Sequence, residues 1–346
     1  MKKPPNRNNN VIAQSGLSLI ELMVALTIGL LITAGLTTLY VNTSSSYREV
    51  EQTSRQLENG RYAMQILSDE IQHAGFYGEY YKLDAPPAAL SDPCSTVLAD
   101  LQAALPLPLQ GYDAPAISPI ACLNNANFKS GTDVLVIRRA ETTLPLSTTP
   151  VSNRVYIQAN ASQAEIQLGN ETDFVLGADK ADSTPATIFK KDGVTAAAIR
   201  QYHVHVYFIS PCDVQGNNNC DATDDGGKPI PTLKRIELQS GPSMSTVSLV
   251  QGIENFQVEY GIDTSGDGVP DSYVTAPANT TAWSNVVTLR LHLLARNIDT
   301  SAGYKDIKQY NLGLAGTTAA TNDAYKRHVY TALVRVNNVS DRKQLP

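Results

Sequence analysis

The sequence is short of the residues that catalytic and metal centres most often use. It has five histidines, at positions 73, 203, 205, 292 and 328, and a single tryptophan. It also lacks a Gly-x-Ser-x-Gly elbow, a His-Glu-x-x-His metal motif and a phosphate-binding glycine loop. These absences argue against an enzyme.

Basic residues are too few and too scattered to form a nucleic-acid-binding surface. The chain of 346 residues has 27 lysines and arginines against 33 aspartates and glutamates, which gives a formal net charge of −6. Proteins that bind nucleic acid neutralise its phosphates with clustered basic side chains. We therefore expect no direct nucleic-acid binding.

Cysteine is scarce, and its spacing fits neither a redox pair nor a zinc site. The four cysteines are Cys94, Cys122, Cys212 and Cys220. An even set in an oxidising compartment predicts two disulfides, although four cysteines allow three pairings. Proximity in sequence favours Cys94–Cys122 and Cys212–Cys220, and the alternative is four buried free thiols.

An apolar run extends from Leu17 to about Val41, with Glu21 as its only charged residue. The run is long enough to span a bilayer, which takes about 20 apolar residues. A carboxylate at the centre of a membrane helix costs about 2.5–3.5 kcal/mol. A single acidic residue in such a helix therefore usually has a partner group and a function. The run therefore predicts a membrane helix in which Glu21 has a role.

A short leader precedes the apolar run, contains Lys2, Lys3 and Arg7 but no acidic residue, and ends at Gly16. A secretory signal peptide is cut after its apolar segment, whereas Gly16 lies before it. The apolar run is therefore expected to stay in the mature protein, whose net charge would fall from −6 to −9. The basic leader predicts a single pass of the inner membrane, with a cytoplasmic N-terminus and a periplasmic C-terminal domain. An uncleaved signal anchor is the alternative.

Beyond Val41 the apolar run continues as an amphipathic helical pattern. Apolar residues recur every seven positions, with a second row beside them: Val50, Leu57, Met64 and Ile71, and Leu67 with Ala74. Such a helix buries one stripe against another element. Gly75 and Gly78 are stop signals, so we predict one helix from about Leu17 to His73.

Residues 84–121 contain seven prolines and predict a loop-rich segment with a short helix near Thr96–Leu105. After this segment the hydrophobic period changes to two, as in strands. Eight strands are predicted: Asp133–Arg139, Arg154–Gln158, Tyr202–Ile209, Leu233–Leu238, Thr246–Val250, Phe256–Tyr260, Val286–Leu294 and His328–Val336.

The fold class that follows is α+β, with a long N-terminal helix packed on a largely antiparallel β-sheet domain. Four segments are predicted: a cleaved leader at 1–16, a membrane helix at 17–41, an amphipathic helix at 42–75 and a periplasmic β-rich domain at 76–346.

The basic leader, Gly16, the following Leu17 and Glu21 together resemble the processing site of type IV prepilins and related pseudopilins. The resemblance implies that a prepilin peptidase cuts after Gly16 and methylates the new N-terminus at Leu17. It also implies that the retained Glu21 faces the terminal amine of a neighbouring subunit in a filament.

Two further stretches, Leu67–Phe76 and Val250–Asp263, resemble minor pilins of the PilW type. The resemblance implies a pilin-like fold and a place in a minor-pilin complex that initiates type IV pilus assembly and caps the tip. The implied partners are other minor pilins, the major pilin and prepilin peptidase, with the inner membrane as the location before assembly. A type II secretion pseudopilin and a signal-anchored periplasmic binding or adhesive protein are the alternatives.

A segment near residue 265 has the oxygen spacing of a calcium loop. Positions 1, 3, 5 and 9 carry side-chain oxygens, and position 7 offers a backbone carbonyl: Asp263, Ser265, Asp267, Asp271 and Val269. Gly268 stands at position 6, where such a loop turns sharply, but position 12 holds Val274 instead of glutamate. The segment predicts a bound Ca²⁺, and the alternative is an acidic, glycine-rich hairpin turn.

Two other polar groups have weaker patterns. His203 and His205 share one face of a strand without an evident third metal ligand, so we expect a solvent-facing pair. Asp221, Asp224 and Asp225 lack metal-ligand spacing and are expected to form a solvated loop.

Overall fold

The computed structural model describes Gly16 and residues 18–143, 150–169 and 188–344. Within these residues the helices are α1 Leu19–His73, α2 Leu98–Ala103, α3 Asp224–Gly227, α4 Thr280–Ser284 and α5 Asn337–Lys343, with 3₁₀ turns at Asn125–Asn127 and Gly313–Ala315. The strands are β1 Leu109–Tyr112, β2 Val134–Ala140, β3 Val155–Ala159, β4 Ala164–Leu168, β5 Ile199–Ser210, β6 Thr232–Gln239, β7 Ser243–Gln251, β8 Ile253–Ile262, β9 Ser272–Val274, β10 Val286–Arg296 and β11 Arg327–Arg335.

Helix α1 is continuous for 55 residues, and the chain divides within it into two compact units, Met1–Glu51 and Gln52–Pro346. In the first unit the large apolar side chains of α1 are exposed. The helix is long and apolar enough to cross a membrane, judged by length and composition. It ends as predicted, since Gly75 follows with φ +72°, a left-handed conformation that terminates helices.

The part of α1 in the second unit buries one face. Its buried residues are Gln56, Gly60, Ala63, Leu67 and Ile71. The predicted stripe is thus confirmed at Leu67, Ile71 and Ala74, but it is wrong at Val50, which is 64 % exposed. Val50 lies before Gln52, where the second unit begins, so it belongs to the exposed part of the helix.

The strands of the second unit form two sheets, and all their pairings are antiparallel. Sheet 1 has the order β1-β2-β5-β3-β4, with β6 paired to β5 and β7 paired to β6. The long strand β5 pairs with β3 over Ile199–Gln201 and with β6 over His205–Ser210. Sheet 2 has the order β11-β10-β8-β9. These sheets, with α1 packed on them, confirm the predicted α+β class.

Sheet 1 is buried on both faces at β2, which is why this strand begins with a continuous apolar run. Leu135 and Ile137 of β2 join the main core, which contains Leu67 and Ile71 of α1 and the inner face of sheet 2. Their neighbour Val136 points to a second core on the opposite face of the sheet. The main core thus connects α1 to both sheets.

All eight predicted strands are present, with ends that differ by up to three residues, and the predicted short helix is α2. Strands β1, β4 and β9 were not predicted; β1 and β9 have only four and three residues, whereas the five residues of β4 alternate between apolar and polar. In β10 the predicted inward row is fully buried: Val287, Leu289, Leu291 and Leu293.

Both predicted disulfides are confirmed. Cys94 is bonded to Cys122 with a Cα–Cα distance of 5.6 Å, and Cys212 to Cys220 with 5.7 Å. No described cysteine is free. The first disulfide lies beside α2, and the second links the end of β5 to the loop that precedes α3.

Candidate functional site

The start of α1 brings together the residues that the sequence singles out for processing and assembly. Gly16 is exposed, and no atom lies within 4 Å of a Cβ built on it. Leu17, the predicted new N-terminus, lies outside the described residues, as do residues 1–15 of the leader. Helix α1 begins two residues after Leu17.

Ser18 and Glu21 form a capping box at the first turn of α1. The Ser18 hydroxyl accepts a hydrogen bond from the backbone N–H of Ile20 at 3.3 Å. The backbone N–H of Ser18 in turn donates to Glu21 Oε2 at 3.0 Å. The two residues satisfy donors that a helix N-terminus otherwise leaves unpaired.

Glu21 is the only charged residue of α1 before Arg48. The threonines of this stretch are satisfied within the helix, since Thr33, Thr37 and Thr38 each bond the carbonyl four residues earlier at 2.7–2.9 Å. The second carboxylate oxygen, Oε1, has no hydrogen-bond partner among the described residues. Oε1 of Glu21 can therefore accept a hydrogen bond from another chain within this apolar segment.

Further along α1, polar side chains fasten the helix to sheet 2 and to the end of β7. The buried Gln56 Nε2 donates to the carbonyls of Ala295 at 2.8 Å and Lys326 at 3.0 Å. Asn59 Nδ2 donates to the carbonyl of Gln251 at 3.1 Å. These hydrogen bonds fix the axial position of this part of α1, because a slip along its axis would leave the buried amide unpaired.

Gly60 allows α1 to approach the sheet closely. A Cβ at this position would lie 2.1 Å from Cε2 of the Tyr330 ring. Tyr330 belongs to β11, and its ring occupies the space that a larger residue of α1 would need. Glycine costs about 1 kcal/mol in a helix interior relative to alanine, so its presence here serves the packing.

A buried ionic network ties the last turns of α1 to sheet 1. Glu70 accepts two hydrogen bonds from the Arg139 guanidinium, at 2.9 and 3.2 Å, and one from His205 Nδ1 at 2.9 Å. His203 Nε2 lies 3.2 Å from Glu141 Oε2. The two imidazole rings are 5.3 Å apart.

The network holds its glutamate ionised and its histidines neutral. Burial raises the pKa of Glu70, but hydrogen bonds from His205 and Arg139 outweigh it, so this pKa lies well below its usual value. Burial lowers the pKa of His203 to about 4 and also lowers that of His205. Because an ionised carboxylate only accepts, the Nδ1 of neutral His205 carries the proton. The expectation of a solvent-facing histidine pair is therefore wrong, since Glu70 of α1 contacts His205 and Glu141 contacts the largely buried His203.

The segment Asp263–Asp271 forms a compact loop after β8. Asp263 is fully buried and accepts N–H groups from Gly266 at 2.6 Å and Gly268 at 2.8 Å. Asp271 Oδ2 accepts from the backbone of Thr264 at 2.7 Å and Ser265 at 3.0 Å. The structure thus places Asp263 and Asp271, the predicted ligands at the two ends of the segment, in one loop.

The C-terminal helix α5 packs against this loop. Lys343 Nζ lies 3.8 Å from Asp263 Oδ2, and the Ser340 hydroxyl donates to the carbonyl of Gly268 at 2.6 Å. Burial raises the pKa of Asp263, but the Gly266 and Gly268 amides and the Lys343 ammonium outweigh it, so its pKa lies below the usual value. Calcium binding by the loop stays a prediction.

Helix α5 also holds the turn after α1. Asn338 Nδ2 donates to the carbonyl of Ala74 at 3.2 Å, and the Arg342 guanidinium donates to the carbonyls of Gly75 and Tyr80. Sequence analysis missed this contact and the Glu70 network. A short polar helix near a C-terminus has no sequence signal for its docking site, and a glutamate in an amphipathic helix reads as solvent-exposed.

The acidic cluster near Asp224 organises a loop. Asp224 is buried and accepts the backbone N–H groups of Gly216 at 2.8 Å and Asp221 at 2.9 Å. Asp225 accepts those of Asp213 and Val214. The expectation of a solvated loop is wrong for Asp224, because its carboxylate replaces water as the acceptor for these amides.

Among the described residues, one group of three close metal-ligand side chains is present: Cys212, Cys220 and Asp224. The two cysteines are joined in a disulfide, so they offer no thiolate to a metal.

Two family models match the chain. The model of the prokaryotic N-terminal methylation motif matches residues 12–37, which contain Gly16, Leu17 and Glu21. The model described as type IV pilus-assembly protein W matches residues 214–338, from the loop before α3 into α5. Neither a curated protein nor a solved structure matches the chain. Both family models describe structural components of pili, and they confirm the resemblance reached from the sequence.

Proposed function

We propose that this chain, a PilW-type pilin-like protein by its two family matches, is a minor pilin that helps initiate type IV pilus assembly. The observation that carries the proposal is the position of Glu21 on α1 and its carboxylate oxygen, which is unpaired among the described residues. Glu21 is the only charged residue in the exposed apolar part of α1 before Arg48, it lies inside the methylation motif, and its Oε1 is available to another chain.

The chemistry at the helix start follows from processing. Cleavage after Gly16 would leave an amine on Leu17, and each subunit would then carry one cation and one carboxylate four residues apart. Either charge alone is costly in an apolar bundle, whereas the amine of one subunit and the Glu21 carboxylate of the next neutralise each other. This pairing favours a fixed axial offset between neighbouring subunits.

The second unit supplies the other requirement of a filament subunit, which is a globular domain that stays fixed to its helix. Gln56, Asn59 and Glu70 of α1 make hydrogen bonds or ion pairs to both sheets and to the end of β7. A subunit drawn out of the membrane by its helix would therefore carry the domain with it.

The cellular route follows from the same features. The apolar helix and the methylation motif fit a pilin anchored in the inner membrane before assembly. The proposed orientation is a cytoplasmic leader and a periplasmic domain, in which the two disulfides form. The proposed partners are prepilin peptidase, other minor pilins and the major pilin, with a final position in a priming complex at the pilus tip.

A type II secretion pseudopilin is the nearest alternative, since it shares the leader and Glu21. The match to type IV pilus-assembly protein W over β6 to β11 favours the pilus. Gene deletion separates the two functions. We expect loss of surface pili and twitching with normal protein secretion, and restoration of pili by the wild-type gene. Loss of secretion with normal piliation would overturn the proposal.

A further inference from the structure

The outer strands of the two sheets differ sharply in how their free edges are protected. A free edge offers unpaired backbone N–H and C=O groups, and soluble proteins protect such edges by shortness, charge or proline. Among the described strands, β1 and β9 are short, with four and three residues. Strand β4 has five residues with Glu165, and β11 has Arg327 and Arg335 at its ends.

Strand β7 has no such protection over its first six residues. Its nine residues, Ser243 to Gln251, include no charged residue and no proline. It pairs with β6 without interruption from Ser243 to Ser248, a register shift follows at Leu249, and it pairs with no other described strand. In an antiparallel pair, alternate residues direct their N–H and C=O away from the partner, so the outer edge of β7 carries a row of free main-chain groups.

The open part of β7 is its first two thirds. Thr246, Val247 and Ser248 are exposed in succession, so both faces of the strand are uncovered there. By contrast, Val250 is 4 % exposed and belongs to the main core. The strand is thus anchored at one end and presents an edge with regular register from Ser243 to Ser248.

The anchored end of β7 lies against α1. Asn59 of α1 donates to the carbonyl of Gln251, the last residue of β7, and Gly252 then leads directly into β8. In the proposed function α1 is the element along which neighbouring subunits meet. The edge therefore starts beside the region where the chain of a neighbour would lie.

We infer that the free edge of β7, over Ser243–Ser248, binds an extended, uncharged strand of a neighbouring pilin subunit by β-strand addition. Only another polypeptide backbone presents donors and acceptors at the spacing of a β-ladder, which defines the class of partner. The absence of charge on β7 favours a partner strand without charge, because a desolvated charge would find no counterion on β7 itself. The inference rests on the proposed function and adds the surface through which the subunit recruits its neighbour.

The test places a lysine on the edge of the full-length chain. Val247→Lys adds a charge to an edge position that is 37 % exposed, so the lysine can reach solvent in the isolated subunit. Val194→Lys makes the same substitution at a valine that is 80 % exposed and outside the strands. Both variants are expressed in the deletion strain, and their folding is checked by thermal melting of the purified, detergent-solubilised chains.

We expect Val247→Lys to reduce surface pili about tenfold, because the added charge must be desolvated when the neighbouring strand pairs. Val194→Lys should restore pili as the wild-type gene does. Equal restoration by both variants would overturn the inference and leave the proposed function intact. If the wild-type gene itself has no effect on pili, the proposed function and this inference both fail.

A second measurement identifies the occupant. A photo-crosslinking amino acid at position 247 of the full-length chain should form a covalent adduct in cells that express the pilus genes. Mass spectrometry of the adduct should then show a different subunit that also carries a prepilin leader. An adduct with a second copy of this chain, with a protein that lacks such a leader, or no adduct at all, would overturn the inference.

Discussion

The backbone N–H of Ser18 donates to Glu21 Oε2 at 3.0 Å, so the carboxylate proposed for assembly also caps the helix that carries it. One oxygen serves the helix, and the other faces outward without a described partner. This division gives Glu21 a fixed direction before a neighbouring subunit arrives. It also raises the question of whether the loss of Glu21 acts on the helix or on assembly.

Glu21→Ala should be processed and should fold, yet assemble poorly. The substitution removes the acceptor for a neighbour's amine, whereas the second unit makes no use of it. We expect strongly reduced piliation and reduced co-purification with other minor pilins. Ser18→Ala is the matched control, because it removes only the hydroxyl cap, worth about 1 kcal/mol of helix stability. Equal loss of pili in both variants would assign Glu21 a capping role alone.

Gly16→Val should block removal of the leader. A peptidase that cuts after Gly16 must accommodate that residue closely, and a branched side chain would prevent this. We expect the full-length chain to accumulate in the inner membrane, with Met1 retained or removed but the rest of the leader present by mass spectrometry. Gly35→Val is the control, since a Cβ at either glycine meets no atom within 4 Å. Normal trimming of the Gly16 variant would refute the assigned cleavage site.

Gly60→Ala should destabilise the second unit even though alanine is the better helix former. The new Cβ would lie 2.1 Å from the Tyr330 ring, and such overpacking typically costs about 1–3 kcal/mol. Chemical denaturation of the detergent-solubilised chain measures the loss. Tyr330→Ala in the same chain should remove most of the penalty, because it vacates the space. Gly35→Ala, in an exposed part of the same helix, should be neutral or slightly stabilising; a Gly60→Ala chain as stable as wild type would contradict the packing argument.

Acidification from pH 7.5 to pH 5 should weaken the domain through its buried histidines. The pKa of His203 is about 4 in the folded chain against about 6.5 when unfolded, so below pH 6.5 the unfolded state binds more protons. Stability is therefore lost as the pH falls from about 6.5, by up to about 2 kcal/mol at pH 5 for this residue. The lowered pKa of Glu70 acts in the same direction only below about pH 4.5. Urea denaturation of His203→Gln at the two pH values should show a smaller difference than wild type; an unchanged difference would remove His203 from the network.

We propose that the Asp263–Asp271 loop binds Ca²⁺, with the side chains of Asp263, Ser265, Asp267 and Asp271 and the carbonyl of Val269 as ligands. Millimolar calcium should then raise the melting temperature of the chain, because it binds only the folded loop. Asp267→Ala should abolish this gain, since Asp267 is exposed and its carboxylate bonds only the backbone N–H of Val269 within the described structure. Asp192→Ala, another exposed turn aspartate, is the control. Identical melting curves with calcium and with chelator would leave a hairpin turn that Lys343 neutralises.

Local sequence patterns predicted a structural feature correctly wherever that feature depends on one segment alone. The apolar run with a single carboxylate, the glycine that ends α1 and the alternation in β10 depend on neighbours in sequence, and the structure confirms each of them. The disulfide between Cys212 and Cys220 spans only eight residues, so proximity in sequence sufficed for its assignment. Strand β4 was missed although its five residues alternate between apolar and polar.

The expectations that were wrong for polar residues concern hydrogen-bond partners that sequence patterns do not identify. His205 reads as a surface residue of β5, yet it donates a hydrogen bond to Glu70, 135 residues earlier. Asp224 reads as part of a solvated loop, yet it accepts amides from within and just after the disulfide-closed turn. A remote helix buries His205 and a folded loop buries Asp224, and sequence periodicity records burial but not partners.

The sequence by itself determined that this chain has a membrane-length apolar helix, a single carboxylate near its start and a β-rich domain with two disulfides. These properties depend on transfer of side chains from water to lipid or core, which composition and spacing encode directly. Only the tertiary structure decided how α1 is fastened to the domain, which histidines are neutral, and which strand edge is left open. These depend on which distant backbone and side-chain groups meet, because a hydrogen bond or a sheet edge is defined by its partner and not by the residue alone.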